Sequence, residues 1–379
     1  MILVLKVIAW FLVNGLTLMI AARLAALGVA QSRSMTVVLW TFWWIFVDTT
    51  IVLVLGMAGL LNVLAIMVAT VWVALVSGAW SRANWRFMLG FFRCSVEALR
   101  TLAVCHPLYS AVWALMAIII VARAMLFVWV FPPHVYDVLT YHLPKVADWI
   151  QDGALTVNDT SVSRSFWPGG FELMQVWFSL FWHHDVVIEA AGIPYYILAV
   201  GGVYCLARCL NIRRIYAAWS AMIYAATPVV IMNVVSCKND LPLGALLVMA
   251  TVLLASMFME KPGARAMAFT LIAVVGHGAG VKAMMVFVFP VIAIAFIAGV
   301  WRRRKDVFSR YGRFEFAAWC TVVVLSVLQA GYWYIRNWVY FDNPVFPVPF
   351  QLFGHAMPGM GGIQQGEFSV DSMLATLRA

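Results

Sequence analysis

The chain has 379 residues, of which 64% are hydrophobic and 11% charged, with a formal net charge of +9. Its mean hydropathy is +0.93, and apolar runs of roughly 18 to 22 residues recur along it, the length that crosses a bilayer. This excludes a soluble globular domain and predicts an all-α polytopic membrane protein, because helices satisfy their own backbone in lipid.

About ten spans are predicted, at about 2–22, 37–56, 57–79, 107–131, 186–206, 215–233, 241–259, 267–281, 283–300 and 315–334. The first is read as a retained span and not a signal peptide, because Arg23 and Arg33 follow its apolar stretch instead of preceding it. A basic, Trp-containing loop is expected over residues 80–100. After the fourth span comes a polar, aromatic stretch from Pro132 to Pro144 that places the carboxylate of Asp137 at a membrane surface. Next, Leu143, Val146, Trp149 and Ile150 repeat at helical spacing against Lys145, Asp148 and Gln151. A second amphipathic candidate runs over residues 171–182, introduced by Trp167-Pro168-Gly169-Gly170. Both helices are expected to lie in the interface and to shelve a site between lipid and water. Two outer segments, about 132–185 and 335–379, are long and rich in Pro, Gly and aromatics, as loops that carry function tend to be. Three blocks result: an additional N-terminal transmembrane module (1–106), a transmembrane core that includes the outer loop 132–185 (107–340), and an outer loop or truncated C-terminal region (341–379).

Basic residues retained on the cytoplasmic side give the orientation. Alternate loops gather Arg82, Arg86, Arg93 and Arg100, then Arg208, Arg213 and Arg214, then Lys261 and Arg265, then Arg302, Arg303 and Arg304. The opposite face collects Asp137, Asp148, Asp152, Glu172, Asp240 and Asp342. The net charge is therefore a topology signal and implies no nucleic-acid partner. The six cysteines form no disulfide framework; Cys205 and Cys209 share a helix face, but no further ligand completes a zinc site. No Gly-rich phosphate loop and no Asp-x-Asp pair for a nucleotide-sugar metal is present. Asp48 and Arg123 fall at similar depths in their spans and are expected to pair or to share a polar cluster, with outward snorkelling of Arg123 as the alternative.

Taken in order, Asp137 with Tyr141-His142-Leu143-Pro144, Trp167-Pro168-Gly169 with Glu172, Lys238-Asn239-Asp240-Leu241-Pro242, Gly276-His277-Gly278-Ala279-Gly280-Val281-Lys282, and Trp333-Tyr334-Ile335-Arg336-Asn337 with Asn343-Pro344-Val345-Phe346-Pro347 make a recognisable series. It resembles the GT-C superfamily of integral-membrane glycosyltransferases, in particular the protein mannosyltransferase and aminoarabinose transferase branch, over roughly residues 107–347. The three spans that precede the 107–131 span depart from that pattern, since such enzymes commonly place this Asp just after their first span.

The resemblance implies transfer of a sugar from a polyprenyl-phosphate donor to a lipid, glycan or protein acceptor on the non-cytoplasmic face, with inversion at the anomeric carbon. Asp137 is the implied general base, a role worth roughly a hundred- to ten-thousandfold; capping of a helix near Thr140 is its structural alternative. Lys282 and Arg336, with His142 and Lys238 behind them, are the candidates for the donor phosphate, where preorganised positive charge stabilises the leaving group. Lys282 could instead mark a turn and Arg336 anchor at the interface. Asp240, followed by Glu172, is the candidate second acid that orients the acceptor, with N-capping as the competing role for Asp240. No cofactor is assigned, and a divalent metal stays open. The expected location is a bacterial inner membrane with the site facing the periplasm, among membrane lipids. A transporter or flippase for a lipid-linked or small solute is the rival, with Gly276 to Lys282 as a discontinuous helix; a non-catalytic lipid-binding scaffold is the third reading.

Overall fold

The computed structural model describes residues 2–27, 32–158, 163–182, 185–309, 312–352 and 355–359. Residues 353–354 and 360–379 of the block 341–379 thus lie outside the described residues.

Two long apolar helices open the chain, α1 (Ile2–Ala26) and α2 (Arg33–Met57), followed by the shorter α3 (Val63–Val76). Ser32 caps α2 by accepting from the Met35 amide, and Asn62 caps α3 from Ala65. Next is α4 (Arg82–Cys105), capped by Ser81. The sequence suggested a basic loop here; the chain instead forms a helix with strongly separated polar and apolar faces, and Phe91 on its apolar side meets Trp40 of α2 edge-on at 5.6 Å. The span α5 (Pro107–Val130) follows.

The outer segment forms a π-helical turn (Val138–His142), α6 (Leu143–Asp152), a short 3-10 turn (Ser163–Phe166) and α7 (Gly170–Ser179). The C-terminal half then runs through α8 (Ile193–Cys209), α9 (Arg214–Ala226), α10 (Pro228–Val234), α11 (Asp240–Phe258), α12 (Ala264–Val281), α13 (Met285–Arg302), α14 (Arg304–Val307) and α15 (Arg313–Phe341). It closes on an antiparallel pair, β1 (Phe350–Leu352) and β2 (His355–Met357).

Among the described residues, eight helices are long and apolar enough to cross a membrane, and a ninth span arises if α9 and α10, bent by 64° at Thr227-Pro228, count as one. The tenth expected span is α3; its 14 residues reach about 21 Å, short of a hydrocarbon core of about 30 Å. The fold is an all-α polytopic membrane protein.

The centre of the bundle is α2, α7, α8, α11, α12 and α15. Glycines on α12 permit its close packing: a Cβ on Gly276 would lie 2.5 Å from the Ser326 carbonyl oxygen and one on Gly280 2.5 Å from that of Gln329, both on α15, while a Cβ on Gly170 of α7 would lie 2.7 Å from the Gly280 carbonyl oxygen. The Gly276 to Lys282 stretch is therefore the end of a continuous helix and not a break within the membrane. Behind it, His277 bonds to Tyr195 of α8 (2.8 Å) and to Gln329 of α15, whose amide reaches Thr50 of α2 at 2.6 Å. This chain of polar contacts joins α2 to the later helices.

Two further expectations fail. Every residue of α7 is buried, so this helix is a core element and not an interfacial shelf; α6 keeps an amphipathic character, with Val146 and Trp149 inward. Asp48 and Arg123 do not meet. Arg123 donates to the Ile231 carbonyl (3.0 Å) and lies over Phe127, on a helix that packs with α4 and α9, whereas Asp48 is fully buried in α2, which packs with α1, α7 and α8. Equal depth does not fix which side of a helix a residue faces.

Candidate active site

At the end of the bundle where α11 begins and α12 ends, five charged side chains converge from elements far apart in sequence. Asp137 stands at the start of the π-helical turn, with Oδ1 accepting from Arg164 Nη1 at 2.7 Å and Oδ2 3.8 Å from Lys238 Nζ. Asp240, the first residue of α11, holds Lys282 Nζ at 2.5 Å. Lys282 ends α12, and Asn239 donates to the Val281 carbonyl (3.2 Å), which fixes the two chain segments side by side. Asp137, at the N-cap of its turn, makes no capping hydrogen bond with its side chain, and the N-cap of α11 is Asn239 and not Asp240, so the competing helix-cap roles are not realised. The side chains of this layer remain open to solvent: Asp137 is 33% exposed, Lys238 31% and Asp240 53%. Tyr141 lies among them, its ring 5.6 Å from the Arg164 guanidinium. Burial first, then the charge of Asp137, pushes its phenol well above the usual range.

Beneath this layer lies a second, closed one. Glu172 of α7 is fully buried, and its Oε1 accepts from His142 Nδ1 (3.0 Å) and Lys145 Nζ (3.2 Å). Since a carboxylate only accepts, Nδ1 of His142 carries the proton. Lys145 also donates to the Trp167 carbonyl at 3.2 Å. Burial opposes the charge of Glu172, but Lys145 and His142 outweigh it and hold the carboxyl down at about 2. Burial likewise lowers Lys145, with Glu172 pulling the other way.

Arg336, expected at the edge of an outer loop, sits inside the last turns of α15, which runs about two turns further than predicted. It is 7% exposed, donates to the Phe166 carbonyl (2.6 Å) and to Asn337 Oδ1 (2.9 Å), and lies over Trp333, which stacks on Trp149 at 5.8 Å. Asn337 bonds to the Phe166 and Phe346 carbonyls, both at 3.1 Å, and Asn343 Oδ1 accepts from the Val345 amide at 2.9 Å. The Asn343 to Pro347 segment thus folds back on Phe166, two residues from the Arg164 that grips Asp137. Gly169 is needed there, since a Cβ on it would meet the Trp149 ring at 2.6 Å.

The seven residues singled out from the sequence therefore divide. Asp137, Lys238, Asp240 and Lys282 form the open layer; His142, Glu172 and Arg336 belong to the closed one. Arg164, Tyr141 and Lys145 complete these layers and were not singled out. Among the described residues no group of three or more His, Cys, Asp or Glu side chains is arranged to hold a metal ion. In the open layer each carboxylate has a cationic side chain as its partner.

Residues 194–341 match the family model described as dolichyl-phosphate-mannose-protein mannosyltransferase, a GT-C family. The matched stretch holds Lys238, Asp240, Lys282 and Arg336; Asp137, His142 and Glu172 precede it. No curated protein and no solved structure gives a significant match.

Proposed function

We propose that this chain, an integral-membrane glycosyltransferase of the GT-C superfamily, transfers a sugar from a polyprenyl-phosphate donor to an acceptor at the non-cytoplasmic face, with inversion at the anomeric carbon and Asp137 as general base. One observation carries the reading: Arg164, Lys238 and Lys282 converge on Asp137 and Asp240 at one open end of the bundle. Three cations against two carboxylates leave an excess of positive charge that suits a phosphate.

In this scheme the acceptor hydroxyl oxygen attacks the anomeric carbon and gives its proton to Asp137 Oδ2, while Arg164 keeps Oδ1 oriented. The new carbon–oxygen bond forms as the bond to the phosphate oxygen breaks, and the electron pair leaves with polyprenyl phosphate. Attack opposite the leaving group inverts the centre. Lys282 and Lys238 face the charge that grows on the phosphate, where fixed cations are worth most. Asp240 holds the Lys282 ammonium until the phosphate takes its place. His142, Glu172 and Arg336 act as positioning residues: the first two brace the turn that carries Asp137, and the third braces the turn that carries Arg164. No step calls for a metal.

The basic residues gathered at the opposite end of the bundle support a site on the non-cytoplasmic face, and a bacterial inner membrane suits that arrangement. Lipid, glycan and protein hydroxyls all fit the scheme as acceptors. The transporter reading loses one of its supports, since α12 is continuous up to Val281 where a discontinuous helix was expected.

The test is release of free polyprenyl phosphate from a panel of radiolabelled polyprenyl-phosphate sugars, comparing the purified protein with Asp137→Asn. Turnover that disappears in the variant supports the scheme and names the sugar. No turnover with any donor, together with solute uptake in proteoliposomes, would restore the transporter.

A further inference from the structure

At the other end of the bundle from Asp137 lies a cavity of about 1470 Å³, lined among others by Arg33, Arg208, Arg214 and Lys261. The helices that present the candidate site at one end border this cavity at the other: α11 begins at Asp240 and leads to Ser256 and Lys261, and α8 begins beside the Glu172 layer and ends at Arg208 and Cys209.

Its charge is uncompensated. Glu97 is the one carboxylate in the lining, and none of the four cations forms an ion pair among the described residues. Arg33 donates to the Cys94 carbonyl (3.4 Å), Arg208 to the Ile212 carbonyl (2.5 Å) and Lys261 to Asn211 Oδ1 (3.5 Å); Arg214 makes no side-chain hydrogen bond among the described residues. Elsewhere at this basic end three cations are paired, Arg302 with Glu260, Arg303 with Asp306 and Arg265 with Glu315, whereas Arg213, Arg304 and Lys305 form no ion pair among the described residues. What sets the cavity apart is that four cations without an ion pair share one lining with a single carboxylate among the described residues.

The walls identify the occupant. Tyr109 of α5 and Ile215 and Ala218 of α9 contribute apolar surface, and α5 is almost wholly exposed along its apolar length, as a lipid-facing helix is. The amphipathic α4, carrying Glu97 and Thr101 into the lining, lies across it. The volume exceeds the roughly 300–1,000 Å³ of ordinary small-molecule pockets. Cations and apolar side chains sharing one lining beside an exposed apolar helix suit an amphiphile with an anionic head better than a soluble anion.

We propose that this cavity binds the phosphate headgroup of an anionic phospholipid of the surrounding leaflet, a site separate from the sugar-transfer centre. Arg214 and Lys261 meet the phosphate, and the acyl chains run along α5 and α9.

The test is native mass spectrometry of the purified full chain titrated with phosphatidylglycerol or phosphatidylcholine, with thermal stability read in parallel. The wild type should retain one phosphatidylglycerol in preference to phosphatidylcholine and gain stability from it. Arg214→Gln/Lys261→Gln should weaken that binding roughly thirtyfold, from the worth of two basic residues at a lipid surface. Lys305→Gln removes a cation at the same end but outside the cavity lining and should leave binding unchanged. Equal affinity in wild type and double variant, or equal loss in Lys305→Gln, would overturn the site. Competition by glycerol phosphate at the lipid's own affinity would overturn the lipid in favour of a soluble anion, and preference for polyprenyl phosphate over phosphatidylglycerol would overturn the phospholipid. A thermal midpoint that falls in the double variant without lipid, while phosphatidylglycerol affinity is kept, also counts against the proposal, because it makes the two residues structural.

Discussion

The open and closed charge layers are interleaved in sequence yet differ in what they can exchange. Asp137 and His142 are five residues apart, but the Asp137 side chain is 33% exposed and that of His142 2%. In the open layer, Asp240–Lys282 and Asp137–Lys238 are ion pairs in contact with water, and such pairs are individually weak. An incoming phosphate or hydroxyl can replace one partner at small cost. In the closed layer, separating Glu172 from Lys145 leaves a charge in the interior with nothing to solvate it. Weak, exposed pairs suit chemistry, and buried ones suit holding the chemistry in place. The contrast makes a separable prediction: substitutions above should change turnover with little effect on stability, and substitutions below should do the reverse first.

The largest effect is expected from Asp137→Asn. Loss of the general base should cut polyprenyl-phosphate release by about a hundred- to ten-thousandfold, with the thermal midpoint in detergent nearly unchanged. A variant that loses activity by unfolding would erase the distinction between the layers. Glu172→Gln is the mirror case. Breaking a buried pair by removing one partner costs about 3–5 kcal/mol, which chemical denaturation should detect. The pH dependence has a defined sign. Because the Glu172 carboxyl is held down at about 2 from an ordinary 4.5, its stabilisation is present above pH 4.5 and is lost as the pH falls from there toward 2. Wild-type stability should fall across that window, and the Gln variant should show a flatter profile. Lys282→Met comes next: removing one fixed positive group from the leaving phosphate should slow release by about a hundred- to a thousandfold, while stability changes little. If Lys282→Met destabilises as strongly as Glu172→Gln, the Lys282–Asp240 pair belongs to the closed layer.

The spans were legible because a bilayer imposes length and apolarity that few other constraints mimic. Asp137, Lys238, Asp240 and Lys282 stood out for the converse reason, as ionisable groups set against apolar runs. What the sequence did not reveal was angular or distant. Arg164 is 27 positions from Asp137 in a polar loop where one arginine looks like any other. Lys145 read as part of the wet face of α6, because periodicity reports which residues share a face and not whether a buried carboxylate waits across from it. The amphipathic pattern over residues 171–182 suggested an interfacial helix, yet its polar side chains find partners inside: Glu172 Oε1 accepts from His142 and Lys145, and the Gln175 amide donates to the Cys237 carbonyl at 3.0 Å, while Glu172 Oε2 and Gln175 Oε1 have no hydrogen-bond partner among the described residues. Asp48 and Arg123 failed for a related reason: depth follows from counting residues, whereas facing depends on how each helix is turned.

The smallest effect tests the finest part of the contrast. Arg164 Nη1 reaches Asp137 Oδ1 at 2.7 Å, and its side chain is 47% exposed. Arg164→Lys preserves the charge but not the planar fork that fixes direction. An exposed pair of this kind is worth about 0.2–1 kcal/mol to the fold, so the thermal midpoint should hardly move. Losing one charge-assisted hydrogen bond of about 1.5 kcal/mol at the base, by contrast, should lower the rate of release about tenfold, at saturating donor and with the KM for donor kept. That pattern would make Arg164 a positioning residue for Asp137. A raised KM with an unchanged maximal rate would instead put its guanidinium on the donor phosphate, and the open layer would then hold its phosphate on the Arg164 side and not at Lys282.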